Sequence, residues 1–290
     1  MGEVLPLVVG FDGSPAGRAA VEWAARRAGS LGRPVTLVHA VHEYWMTPQS
    51  GSYGAVIAAA RELLEDGVRL CAAVAPGLLV RTHTHSGDVV RALSHFSEAA
   101  EMVVLGSDKS DPASGQLVGA VSQQVAVMSF CPVAVVPVPD GAERSGVVVG
   151  TDGSPEAVQA VASAAREAAR TGQDLLILTS CAVPSSETWA ERPGGEAFEA
   201  LVEEHRRLLD RAAAAVEAAF PGVRVRVHLE TGEPAAEALL RAAATAQLLV
   251  VGSLGRGGLR RMMLGSVSHR VLLNLSCPTL VTRPAVPDRA

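Results

Sequence analysis

Residues 147–181 read VVVGTDGSPEAVQAVASAAREAARTGQDLLILTSC. An unbroken apolar run ends in Gly-Thr-Asp-Gly-Ser-Pro. An Ala-rich amphipathic stretch follows, then a second apolar run. Apolar runs that do not alternate with polar residues belong to strands buried on both faces of a parallel sheet. A helix between two such strands makes the crossover unit of an α/β fold. The stretch therefore predicts strand, tight turn, helix from Pro155, strand.

The same pattern occurs at 7–41, LVVGFDGSPAGRAAVEWAARRAGSLGRPVTLVHAV, at an offset of 140. Further on, SGDVVRALSHFSEAAEMVVLGS (86–107) matches TGEPAAEALLRAAATAQLLVVGS (231–253), with one extra residue in the second copy. CPVAVV (131–136) matches CPTLVT (277–282). Self-similarity over nearly the whole chain predicts two homologous domains, 1–140 and 141–290, joined by the short Pro/Gly/charge-rich segment PVPDGAERSG (137–146). In the second copy the pattern places strands at VVVGTD, DLLILTS, VRVHLE, QLLVVGS and PTLVTR. Helices fall at about 155–171, 195–219, 233–245 and 265–276.

The bulk numbers narrow the function. The chain has 290 residues, is 48% hydrophobic and carries a formal net charge of −5. An acidic balance and only 3% aromatic residues argue against a nucleic-acid surface, which needs basic excess and stacking platforms. The four cysteines, Cys71, Cys131, Cys181 and Cys277, form no CxxC pair, so zinc is not expected and buried thiols of a reducing compartment are. No apolar run reaches the ~18 residues of a membrane span, and MGEVLPLVVG lacks the basic region of a secretory signal. The cytoplasm is the expected location.

In a parallel α/β sheet ligands bind beyond the carboxyl ends of the strands, so the residues after strands carry the chemistry. After the first strand come Gly10-Phe11-Asp12-Gly13-Ser14-Pro15 and Gly150-Thr151-Asp152-Gly153-Ser154-Pro155. Ser14 and Ser154 read as helix caps. Asp12 and Asp152 read either as turn residues or as carboxylates for a ribose hydroxyl. After the fourth strand of the second copy stands VVGSLGRGGLRRMMLGSVSHRV (250–271), with the spacing G-x2-G-x9-G-S at Gly252, Gly255 and Gly265-Ser266. Glycines there, Gly257-Gly258 included, let backbone N–H groups approach an anion. The helix start at Gly265-Ser266 supplies free N–H groups and a favourable dipole.

G-x2-G-x9-G-S followed by V-S-x-x-V and CPTLV resembles the ATP-binding signature of the universal stress protein family, as do VVGTDGSP and TGEP. The resemblance covers both copies. It implies open five-stranded parallel sheets of order 3-2-1-4-5 with helices on both faces, and a regulatory, non-catalytic ATP-binding function. It further implies that Asp152, flanked by Thr151 and Gly153, meets ribose and that the backbone around Cys181 faces adenine. Gly252, Gly255, Gly265, Ser266 and Ser268, with their neighbours Val251 and Val267, would then hold the phosphates, with or without Mg2+. The family also pairs edge strands between subunits, which implies an internal pseudo-dimer of the two copies and makes a homodimer of whole chains plausible. The spacing is not the G-x4-G-K-[ST] of P-loop enzymes, and no acid–base pair stands beside the loop. A slow ATPase or other adenine-nucleotide enzyme, and a nucleotide-free scaffold, are the alternatives.

The first copy is altered. At an offset of 146 it has Gly106 for Gly252, Lys109 for Gly255, Gly119 for Gly265, Ala120 for Ser266 and Ser122 for Ser268. The acid persists as Asp12, and Val41 stands at the place of Cys181. The copy thus keeps the base-and-ribose side and changes the phosphate side. A non-glycine residue at a left-handed position costs about 1 kcal/mol, which counts against Lys109 if Gly255 is left-handed. Between the outer glycines the second copy carries Arg256, Arg260 and Arg261, whereas the first carries Asp108, Lys109 and Asp111. The expectation is unequal sites, with a weaker set at Asp12, Val41, Gly106, Lys109, Gly119 and Ser122.

His39, His42, His83 and His85 fall near the ends of neighbouring strands. A metal site there would be peculiar to the first copy, but His228 at the place of His83 favours a structural role, and no metal is expected. EYWMTPQSGSYG (43–54) and SSETWAERPGG (185–195) read as lids or ordered loops.

Overall fold

The structure, a computed structural model, describes residues 4–41, 53–107, 120–181, 195–255 and 263–283. It divides into two units between Asp140 and Gly141.

The first unit runs β1 (Leu7–Gly10), α1 (Pro15–Leu31), β2 (Val35–Val41), α2 (Tyr53–Val74), β3 (Val80–Ser86), α3 (Val89–Phe96), β4 (Met102–Ser107), α4 (Ala120–Met128) and β5 (Val133–Pro137). The second runs β6 (Val147–Gly150), α5 (Pro155–Thr171), β7 (Leu175–Ser180), α6 (Glu196–Ala219), β8 (Val225–Glu230), α7 (Ala235–Ala243), β9 (Leu248–Gly252), α8 (Ser266–Leu273) and β10 (Thr279–Thr282). Within the units the strand orders are β3-β2-β1-β4-β5 and β8-β7-β6-β9-β10, which is 3-2-1-4-5 in each. The pairs are parallel, with Leu7 against Val35 and Met102, and Val147 against Leu175 and Leu248.

The first helix of each unit has a local cause. Ser14 and Ser154 accept the N–H groups of Gly17 (3.0 Å) and Ala157 (3.2 Å), and proline occupies the first turn. Gly32 and Gly172 close the same helices at φ 61° and 65°, left-handed backbone that glycine adopts without strain. The central strands are apolar at nearly every position because both faces are covered: α1 and α2 pack together, as do α3 and α4. The outer strands β3 and β8 are largely exposed. The linker's second half belongs to the second unit, where Arg144 Nε donates to the Ala244 carbonyl (3.1 Å) and the Ser145 N–H to that of Thr245 (3.0 Å).

Among the described residues, no helix is long and apolar enough to cross a membrane. The candidate lid loops, 43–54 and 185–195, lie outside the described residues except at 53–54 and 195.

Candidate functional site

At the carboxyl ends of β6, β7 and β9 the second unit holds a cavity of about 570 Å³. This is where strand order reverses, β6 being flanked by β7 on one side and β9 on the other.

One wall is the turn after β6. The Asp152 Oδ1 accepts the Ser154 N–H (2.9 Å), and Gly153 between them is left-handed at φ 78°. The acid is therefore a turn residue by one oxygen. Its Oδ2 reaches across to the opposite wall: a Cβ placed on Gly255 would stand 2.5 Å from it. The opposite wall is the end of β9, from Val251 through Gly252 to Leu254 and Gly255. A third part is the first turn of α8. Gly265 precedes that helix with φ −63° and ψ 154° and makes no side-chain cap bond, and Ser266 and Val267 line the cavity beside it. Ser268 also lines it, but its hydroxyl donates to backbone, lying 3.0 Å from the Gly265 carbonyl and 3.3 Å from that of Ser253. With the Gly265 N–H on the Ser253 carbonyl (2.8 Å), Ser268 ties the two ends of the loop together.

The glycines are explained differently from the expectation. None of Gly252, Gly255 and Gly265 is left-handed. A Cβ on Gly255 would press on the Asp152 carboxylate at 2.5 Å, and one on Gly252 would meet the Leu254 carbonyl at 3.2 Å and the Glu156 backbone at 3.4 Å. At Gly265 an added Cβ would find nothing nearer than 3.5 Å.

Cys181 and Gly153 are not among the residues lining the cavity. The Cys181 N–H is spent on the Glu230 carbonyl (2.9 Å), and burial pushes its thiol pKa up. The wall at the end of β7 is instead Leu178, Thr179 and Ser180, and Ala157, Ala235 and Leu239 close the cavity from the helices. Thr179 and Ser180 leave a trace in the sequence, as polar residues ending an otherwise apolar strand. The helix contributions leave none. Asp152 is the one formally charged side chain among the described lining residues. Arg256, Arg260, Arg261 and Gly257-Gly258 lie outside the described residues.

The corresponding cavity of the first unit is about 250 Å³. Asp12 and Gly106 line it. Val41 and Ser122 do not, and Lys109 and Gly119 lie outside the described residues. The change is not confined to the phosphate side. Phe11 stands where the second unit has Thr151, and His39 where it has Thr179, its Nδ1 bonded to the Phe11 carbonyl (2.9 Å). The first turn of α1 also lies closer to the sheet. A Cβ on Gly106 would stand 2.3 Å from the Ala16 carbonyl carbon, against 3.4 Å for Gly252 and Glu156.

The histidines divide. His83 packs edge-on against Phe96 with centroids 4.8 Å apart and lies 6.3 Å from His85, while His39 belongs to the cavity. Among the described residues no group of three or more His, Cys, Asp or Glu side chains is placed to hold a metal, and His42 lies outside them.

Comparison with known proteins gives one family. The model of the universal stress protein family matches twice, over residues 5–137 and 144–283. A universal stress protein of Mycolicibacterium smegmatis is 35% identical, covering 96% of this chain and 97% of its own. One of Mycobacterium tuberculosis strain H37Rv is 34% identical over 96% of each chain. Among solved structures, a universal stress protein from Archaeoglobus fulgidus superposes with a TM-score of 0.72 at 22% identity, covering 97% of both chains, which is a likeness of fold.

Proposed function

This chain belongs to the universal stress protein family, and from that premise we propose that it is an ATP-binding, non-catalytic regulatory protein whose nucleotide is held mainly in the second unit. The observation that carries the reading is the cavity of about 570 Å³ between an acid and an uncapped helix start. Its size falls in the range of small-molecule sites, and it joins apolar walls to polar ends. The apolar surface of Leu178, Leu239 and Ala235 suits a base, and the Asp152 carboxylate suits a ribose hydroxyl. The α8 N–H groups with the Ser266 hydroxyl suit phosphate, with or without Mg2+. Binding is favoured over turnover because no pair of acid and base groups stands among the described lining residues. The first unit binds ATP weakly, takes a smaller adenine ligand or stays empty.

Equilibrium dialysis of the full chain tests this. One ATP per chain is expected, and mass spectrometry of the purified protein should find adenine nucleotide. Two equal sites, or none, would overturn the reading. Gly265→Ala with Ser266→Ala should weaken the site without unfolding the unit, because an added Cβ at 265 meets only ordinary contacts. Turnover that rises with ATP and is lost with Asp152→Asn would favour the enzyme alternative.

A further inference from the structure

We propose that residue 157, the third residue of α5, is a positioning residue that decides whether the acid after β6 faces the ligand. The inference rests on the nucleotide reading of the second unit.

The repeat supplies the comparison. Both units have the same turn: Asp12 Oδ1 accepts the Ser14 N–H at 3.0 Å, and Asp152 Oδ1 accepts the Ser154 N–H at 2.9 Å. The following helices differ at their third residue, Gly17 in α1 and Ala157 in α5. In the first unit the carboxylate lies over the helix. A Cβ built on Gly17 would stand 2.5 Å from Asp12 Oδ1 and 3.3 Å from Ser14 Oγ. No real Cβ tolerates the shorter distance, so the place that Asp12 takes is closed to Asp152 by the methyl of Ala157. That methyl is buried and lines the cavity. Held off its own helix, Asp152 extends toward the opposite wall, where its Oδ2 sits against Gly255. The backbone at Gly17 also comes close to the sheet. Its N–H nitrogen would stand 2.6 Å from a Cβ on Gly106, so the first turn of α1 lies against the end of β4. One methyl thus separates a turn whose acid reaches Gly255 across the larger cavity from a turn whose acid lies against Gly17 beside the smaller one.

A helix start that merely packed better would change affinity for every ligand alike. A residue that aims the carboxylate changes selectivity for the group the carboxylate holds. The test is calorimetric titration of the full chain with ATP and with 2′,3′-dideoxy-ATP, in wild type, Ala157→Gly and Ala157→Ser, with thermal melts of each without nucleotide. A hydrogen bond to a charged group corresponds to a preference for ATP of about tenfold or more in wild type. Ala157→Gly should reduce that preference to about twofold or less, and Ala157→Ser, which keeps the Cβ, should keep it. A preference retained in Ala157→Gly, or lost equally in Ala157→Ser, overturns the assignment. So does a wild type that binds both nucleotides equally, which leaves ATP binding itself standing. A wild type that binds neither removes the nucleotide reading and this inference together.

Discussion

A glycine matters here for what approaches it, and equivalent glycines are approached differently. Gly106 and Gly252 end β4 and β9. An added methyl meets backbone at 2.3 Å in the first and 3.2 Å in the second. Backbone cannot rotate away, so Gly106→Ala should cost about 1–3 kcal/mol or more, the range of overpacked cores, while Gly252→Ala should cost clearly less. Urea unfolding of the full chain, followed by amide exchange in each unit, measures both; equal costs would refute the difference. Gly255 and Gly265 form a second contrast. Gly255→Ala drives a methyl against Asp152 and should lower ATP affinity by about tenfold. Gly265→Ala alone should leave the melting temperature unchanged and alter affinity only through the crowding of bound phosphate. Titration of the two variants with ATP separates them.

At the scale of elements, the cysteines are walled off by the elements that carry them. Cys71 lies in α2 and Cys277 just before β10, and burial raises their thiols to about 11 and about 12. A thiol whose folded value exceeds its unfolded one, near 8.5, adds stability that is complete below the unfolded value. That stability is lost as pH rises toward the folded value. The folded protein should therefore lose stability between about pH 9 and 12, and Cys277→Ala should flatten part of that decline in urea midpoints. Glu230, at the end of β8, works in the opposite sense. The Gly232 N–H on its Oε1 (2.7 Å) holds its carboxyl below the ordinary value, helped by His228 and Arg241. Its contribution is present above the unfolded value of about 4.3 and is lost as pH falls through the folded one. Glu230→Gln should blunt the acid limb, by a small amount because the group is exposed to water. The elements themselves were legible in the sequence: α5 spans 155–171 and β8 spans 225–230, as the periodicity predicts. Helix ends drift where no cap marks them, and α8 stops at Leu273 rather than 276. The opposed acid and loop were legible as residue types after strands. The pressure of Asp12 on Gly17, and of Asp152 on Gly255, was not, because it depends on distances between elements remote in sequence. Around Cys181, the residues that line the wall are those that end the strand, Thr179 and Ser180, one step earlier.

At the scale of the whole molecule, two units of one topology give unequal cavities, about 570 and 250 Å³. Ligand that binds only the folded second unit stabilises that unit alone, by RT ln(1 + [ATP]/Kd), about 2.7 kcal/mol at a hundredfold excess over Kd. A large share of amide exchange in strands and helices proceeds through opening of the unit that holds them. Saturating ATP should therefore slow exchange by about 100-fold at the slowest amides of β6, β7 and β9. The corresponding amides of β1, β2 and β4 should change far less. Exchange measured by mass spectrometry on the intact chain, with and without ATP, reads both units in one sample. Equal protection of β1 and β6 would mean that Phe11 and His39 leave room for nucleotide after all. Protection in neither would mean that the larger cavity holds something else. The arginines at 256, 260 and 261 enter through salt. If they meet the phosphates, the protection of the second unit should weaken as ionic strength rises, since exposed charges are screened within about 8–10 Å at physiological salt. Replacing all three with glutamine should remove most of that salt dependence while leaving the exchange pattern without ATP unchanged.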